Sequence, residues 1–196
     1  MVLFDTNFIL AFFNEIKDPI IDKASRDPIE YIDQRVVALV ERLQKEQNTI
    51  GIPTPALAEY GIRSGRSTQE IFKIISQSPR IEVLPFDQKA ALECAIMARA
   101  GYEKKNKRYD ANPNAVYQKL KIDRQIVAIA KACCVTDVYS HDSDVRILCG
   151  YHGIPCHNFL DLPIPDSARQ MELPITNKRK KSKPKPKATD KAPQSS

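Results

Sequence analysis

Five carboxylates have the type and spacing to do chemistry: Asp5, Glu59, Asp123, Asp142 and Asp144. Asp5 sits inside VLFDTNFIL, an apolar stretch where packing alone would not demand a carboxylate, a hydroxyl and an amide in succession. Each acid also has a plain explanation. Asp5 and Asp142 could cap helices, while Glu59 with Arg63 and Asp123 with Lys119 are spaced for i,i+4 ion pairs. What sets them apart is that all are expected at one edge of one sheet. Acids gathered there repel one another and take up protons unless a cation neutralises them. Hard oxygen donors in such a crevice suit Mg²⁺ or Mn²⁺, which keep waters and bridge to phosphate.

The shared edge follows from the elements that carry the acids. VLF reads as a buried strand and TNFILAFFNE as a helix opened by Asp5, Thr6 and Asn7. Asp18 to Pro28 reads as a polar connection, IEYIDQRVVALVERLQKE as a long amphipathic helix and TIGI as the next strand. PTPALAEYGIR starts a helix with Thr54 as N-cap and Pro55 at the first helical position, and STQEIFKIISQS starts another at Ser67. RIEVL is a strand, and FDQKAALECAIMARAG a helix ending at Gly101. Beyond the basic, aromatic stretch YEKKNKRYDANPN, the segment AVYQKLKIDRQIVAIAKACC is helical by its apolar spacing. VTDVYS is a strand, DSDVRILCGYHG a helix closed by Gly153, and IPCHNF a last short strand.

Strands alternating with helices imply parallel strands joined by right-handed crossovers, hence an α/β three-layer α/β/α sandwich with a central, mainly parallel sheet. Ligands of such sheets bind outside the carboxyl ends of the strands, where the crossover helices begin. Asp5 ends the first strand, and Glu59 lies one turn into its helix. Asp123 falls in the first half of its helix, and Asp142 and Asp144 follow VTDVYS directly.

A chain of 196 residues can bury a real core without disulfides. Residues 1–162 read as the domain and 163–196 as an extension ending in a basic tail. From Thr176 onward, TNKRKKSKPKPKATDKAPQSS carries eight Lys or Arg and one Asp, a net of +7 within a chain of +6. The body is therefore left at −1. Lys, Pro and Ser with almost nothing apolar cannot form a core, so the tail is expected to be disordered, solubilising or attracted to nucleic acid. No apolar run approaches the ~18 residues that a membrane span needs. The N-terminus lacks a basic leader and is interrupted by Asp5, which argues against a signal peptide. Five cysteines without CxxC spacing suggest reduced thiols and a cytoplasmic setting. Cys149, His152, Cys156 and His157 are four potential zinc ligands, but both cysteines occupy apolar positions and read as buried thiols.

The ordered set DTNFIL, AEY, KIDRQIVAIA and YSHDSD resembles the PIN-domain nucleases, which include the VapC-type toxins of toxin–antitoxin pairs. The resemblance covers roughly residues 1–160. Its most specific parts are DTN after an N-terminal strand and the Asp-x-x-Ile-x-x-x-Ala helix before a Ser/Thr-x-Asp turn. It implies that Asp5, Glu59, Asp123 and Asp142 are catalytic acids holding Mg²⁺ or Mn²⁺, with Asp144 a further ligand. It also implies that Asn7 orients Asp5 and that Ser140 hydrogen-bonds the carboxylates or the substrate. The implied activity is metal-dependent endoribonuclease cleavage of single-stranded RNA. The polar connection after the first helix, the insert around Gly101 to Asn114 and the basic tail all extend beyond the VapC pattern.

An acidic site must still recruit a polyanion. Lys104, Lys105, Lys107 and Arg108, interleaved with Tyr102 and Tyr109, are the candidates, since cations hold phosphates and tyrosines stack unpaired bases. Arg124, beside Asp123, could contact substrate or be a surface cation, and His141 reads as structural or exposed. The expected partners are RNA, an antitoxin or other protein, and a second copy through the helix from Ile29 to Glu46; no membrane is expected. Two further readings compete. One is a PIN-fold RNA-binding or scaffold subunit with weak or no cleavage. The other is a phosphohydrolase with a nucleophilic Asp, which expects Asp-x-Asp where this chain has Asn7.

Overall fold

The computed structural model describes residues 1–114, 116–166 and 168, so the tail expected to be disordered lies outside the described residues. Five parallel strands form one sheet: β1 (Val2–Phe4), β2 (Ile50–Pro53), β3 (Ile81–Leu84), β4 (Asp137–Tyr139) and β5 (Cys156–His157), in the spatial order β3-β2-β1-β4-β5. The helices are α1 (Thr6–Phe12), α2 (Ile32–Lys45), α3 (Thr54–Arg63), α4 (Thr68–Gln77), α5 (Gln88–Glu103), α6 (Tyr117–Ala132) and α7 (Ser143–Tyr151). Every residue of β1 and β2 is buried, as strands covered on both faces require.

The chain begins at the middle of the sheet, steps outward through β2 to β3, then crosses back beyond β1 to lay down β4 and β5. Right-handed crossovers running in opposite directions put their helices on opposite faces. Accordingly α1 packs on α2 and α3, while α6 packs on α5 and α7. This is the α/β/α sandwich expected from the alternation of strands and helices. The reversal falls between β1 and β4, so the crevice that such a reversal opens lies at the carboxyl ends of those two strands.

Among the boundaries that differ from the sequence expectation, three have a physical reason on view. The helix expected from Ile29 begins at Ile32, because Tyr31 adopts a left-handed backbone with φ of 59°. That turn leaves the buried Arg35 guanidinium donating to the carbonyls of Glu30, Phe159 and Leu162, which ties α2 to the segment that follows β5. Thr54 is the first helical residue of α3 rather than its cap, and its hydroxyl accepts from the Phe86 amide instead. Finally, α5 runs through Gly101 to Glu103. A Cβ at Gly101 would stand 2.9 Å from the Asn106 carbonyl oxygen, so glycine there admits the returning chain and does not end the helix. Ser67 caps α4 as expected, with Glu70 completing a capping box.

Candidate active site

Asp5 leaves the end of β1 and caps α1, and both of its oxygens are fixed by neutral donors. Oδ1 accepts from the Thr6 amide at 2.7 Å, and Oδ2 accepts from the Ser140 hydroxyl at 2.6 Å. Ser140, fully buried after β4, also accepts from the Asp142 amide at 3.1 Å, so one hydroxyl joins the ends of the two central strands. Glu59 is bound into the same edge through the Thr6 hydroxyl, which donates to its Oε2 at 2.9 Å. Capping and catalytic readings of Asp5 are thus compatible. The helix takes one carboxylate oxygen, and the other lies in the crevice.

On the other side of the crevice, Asp142 caps α7 through the Asp144 amide at 2.9 Å. Asp123 arrives from α6, and its Oδ2 is buried and receives no hydrogen bond. Between these groups stands Lys119, one turn ahead of Asp123. Its ammonium is 2.7 Å from Asp142, 2.8 Å from Asp144 and 3.5 Å from Asp123. The i,i+4 pairs foreseen in the sequence therefore both form, Glu59 with Arg63 at 3.2 Å and Asp123 with Lys119, but the lysine is shared among three acids.

The electrostatics follow from this crowding. Burial, then the neighbouring charges of Asp142 and Glu59, push the Asp5 carboxyl above its ordinary range despite its two hydrogen bonds. Asp123 is pushed up to about 7, mainly by burial, with Asp142, Asp5 and Asp144 adding repulsion that Lys119 only partly offsets. Burial would raise Asp144 as well, but the hydrogen bond and charge of Lys119, the Asn112 amide and the charge of Lys23 together hold it below the ordinary value. One ammonium does not satisfy this cluster.

Among the described residues, no three His, Cys, Asp or Glu side chains stand together as a ready-made metal site. The donor set nevertheless fits a hard divalent ion: Asp5, Asp123, Asp142 and Asp144 face one crevice, and a buried carboxylate oxygen lacks a donor. The ammonium of Lys119 stands among three of these acids.

Several residues lie elsewhere than the sequence suggested. Asn7 does not hold Asp5; its amide oxygen takes the Arg63 guanidinium at 3.3 Å, and Thr6 and Ser140 do the orienting. Arg124 is neither a substrate contact nor a surface cation. It is buried against Asp110 at 2.5 Å and donates to the Lys107 carbonyl at 2.7 Å, pinning the α5–α6 connection. Burial alone would raise Asp110, but hydrogen bonds from His152 and Arg124 hold it below its ordinary value. No local pattern announced this pair, because its partners meet only through the insert's return path.

The basic insert divides in its placement. Lys104 lies over the Tyr109 ring at 4.8 Å and donates to the Tyr151 hydroxyl, and Lys107 lies over Tyr117 at 5.7 Å. Lys105 is exposed, and Arg108 is half-buried. The far end of the insert reaches the crevice, with the Asn112 amide 3.5 Å from Asp144. His141 stacks on Phe159, and His152 and His157 engage Asp110 and Asp137, so neither of the latter two turns toward a zinc site. Cys149 is buried, as expected of a structural thiol, whereas Cys156, expected to be buried as well, is half-buried. The sequence reading passed over Lys23, which crosses from the polar connection to donate to the Ser143 hydroxyl at 2.6 Å beside the crevice.

No protein-family model matches the sequence, and no curated protein does. Similarity is found with solved structures of low identity. A DNA-bound VapBC2 structure from Rickettsia felis is 18% identical, with a TM-score of 0.49, covering 81% of this chain and 98% of that one. A DNA-bound VapBC structure from Salmonella typhimurium is also 18% identical, with a TM-score of 0.47 and coverage of 81% and 97%. VapC20 of Mycobacterium tuberculosis, a toxin that cleaves the sarcin-ricin loop, is 16% identical, with a TM-score of 0.43 and coverage of 74% and 93%.

Proposed function

We propose that this chain is a metal-dependent endoribonuclease of the PIN type, acting on single-stranded RNA. The observation that carries the proposal is the gathering of Asp5, Asp123, Asp142 and Asp144 at the β1–β4 reversal, where even a lysine shared by three of them leaves Asp123 pushed up to about 7. Such a cluster demands further positive charge. The residues assigned to hold Mg²⁺ or Mn²⁺ are Asp5, Asp123 and Asp142, with Asp144 and Glu59 beside them. A divalent ion so held would supply an activated water and charge stabilisation for phosphodiester hydrolysis.

The chain's own residues do the remaining work. The Thr6 amide and the Ser140 hydroxyl fix both oxygens of Asp5, so this carboxylate has no freedom to turn away from the crevice. Thr6 does the same for Glu59 through its hydroxyl. Lys105, Lys107 and Arg108, on the connection whose end abuts Asp144, are assigned to the RNA backbone, with Lys104 beside Tyr109 and Tyr151. The motif resemblance extends the proposal to a toxin with a protein antitoxin as its partner. One observation favours a second reading, an RNA-binding subunit without cleavage: Lys119 already neutralises part of the crevice.

Labelled single-stranded RNA, with DNA of matching sequence as a comparator, is incubated with protein and Mg²⁺ or Mn²⁺, with and without chelator. The wild type is expected to cut RNA only with metal. Asp5→Asn and Asp142→Asn, verified as folded, are expected to lose orders of magnitude in rate. RNA binding without cleavage would select the second reading. Equal cleavage by all three proteins would mean a contaminant and refute the assignment.

A further inference from the structure

Lys119 occupies an unexpected position for a lysine. It falls in the first turn of α6, where the helix dipole disfavours a cation and where this helix has no acidic residue of its own. Three carboxylates compensate, two of them from the start of α7, a separate element more than twenty residues further along the chain. The ammonium contacts Asp142 and Asp144 at 2.7 and 2.8 Å, normal for a charge-assisted hydrogen bond, and reaches Asp123 more loosely at 3.5 Å. Asp5, across the crevice, has only neutral donors.

A divalent ion would require the same oxygens at about 2.0–2.1 Å if it were Mg²⁺. Ammonium and ion cannot both hold Asp142 in that way. We infer that Lys119 is an internal counter-ion that occupies the carboxylate crevice in place of a divalent ion and sets how much metal is needed to load it. The inference rests on the proposed metal-dependent reading of the site. The side chain is free to yield, being 42% exposed on a flexible four-carbon stem. An ion carrying two charges displaces it once its concentration is high enough, and the ammonium then swings out toward solvent or a substrate phosphate. In the absence of metal, Lys119 holds the acids of α6 and of the start of α7 together, so the crevice is built before the ion arrives.

The test is direct metal binding by the full chain, stripped with chelator, measured at fixed pH from the electron paramagnetic resonance signal of free Mn²⁺. Wild type is compared with Lys119→Met, which keeps the stem and removes the charge, and with Lys119→Arg, which keeps the charge. Lys119→Gln replaces the Met variant if that does not fold. Removing the charge is expected to tighten Mn²⁺ binding at least tenfold, whereas Lys119→Arg stays near the wild type. The rise in melting temperature on adding Mn²⁺ should likewise be larger for the uncharged variant. If wild type and uncharged variant bind Mn²⁺ equally, or the variant binds more weakly, the counter-ion role is overturned while the metal reading stands. If none of the proteins binds Mn²⁺, both fall together.

Discussion

The Asp123→Asn substitution offers the most revealing experiment on the site, because it changes charge without changing shape. Asp123 is almost fully buried, lacks a hydrogen-bond donor at Oδ2 and has its carboxyl pushed up to about 7 from an ordinary 3.8. A carboxyl whose folded value exceeds its unfolded value favours the folded state most when protonated. Its contribution is complete below pH 3.8 and disappears as the pH rises through about 7. At pH 5 the folded protein keeps this proton while the unfolded chain has lost it; at pH 8 both have lost it. At 1.36 kcal/mol per unit over roughly two units, the metal-free wild type should lose about 2–3 kcal/mol across that range through this group alone. Asparagine does not titrate, so the variant lacks that component. Urea denaturation in chelator at several pH values measures the difference directly. The variant should gain about 2–3 kcal/mol on the wild type between pH 5 and 8, and Mn²⁺ should shrink that gain by neutralising the ionised acid. Stability curves that stay parallel across the range, within about 0.5 kcal/mol, would refute a crowded carboxylate at this position.

Two further substitutions probe what holds the crevice together. Arg124→Met leaves Asp110 buried with only His152 beside it and is expected to cost about 3–5 kcal/mol in urea denaturation. Adding Asp110→Asn should recover most of that loss; no recovery would show that the guanidinium acts by packing and not by charge. Ser140→Ala removes the 2.6 Å hydrogen bond to Asp5 and the acceptor of the Asp142 amide, at an expected cost of about 1–3 kcal/mol. Because that hydroxyl lowers the Asp5 value, its loss should also move the pH dependence of Mn²⁺ binding upward, and an unmoved profile would count against Asp5 as a ligand.

The sequence by itself determined the layers and the edge. Short apolar runs bounded by polar residues, such as Val2–Phe4, read as strands buried on both faces, and helical spacing between them implies parallel crossovers. Those local rules were enough to expect Asp5, Glu59, Asp123, Asp142 and Asp144 at the same edge of the sheet. They did not reveal which groups would touch. Lys119 looked like a partner for Asp123 alone, because i,i+4 spacing is visible along one helix, whereas its contacts to Asp142 and Asp144 depend on how α6 and α7 pack. Arg124 looked exposed or substrate-facing, because its burial depends on Asp110 returning from the insert that Gly101 lets pass. Thr6, through its amide, took the role expected of Asn7 for a similar reason. The first turn of α1 against α3 decides that the Thr6 amide reaches Asp5 and the Thr6 hydroxyl Glu59, while Asn7 meets Arg63. Hydrophobic periodicity acts over a few residues and so survives in a linear reading. Charge pairing acts across space, and here only the packed helices decided which cation the carboxylates share.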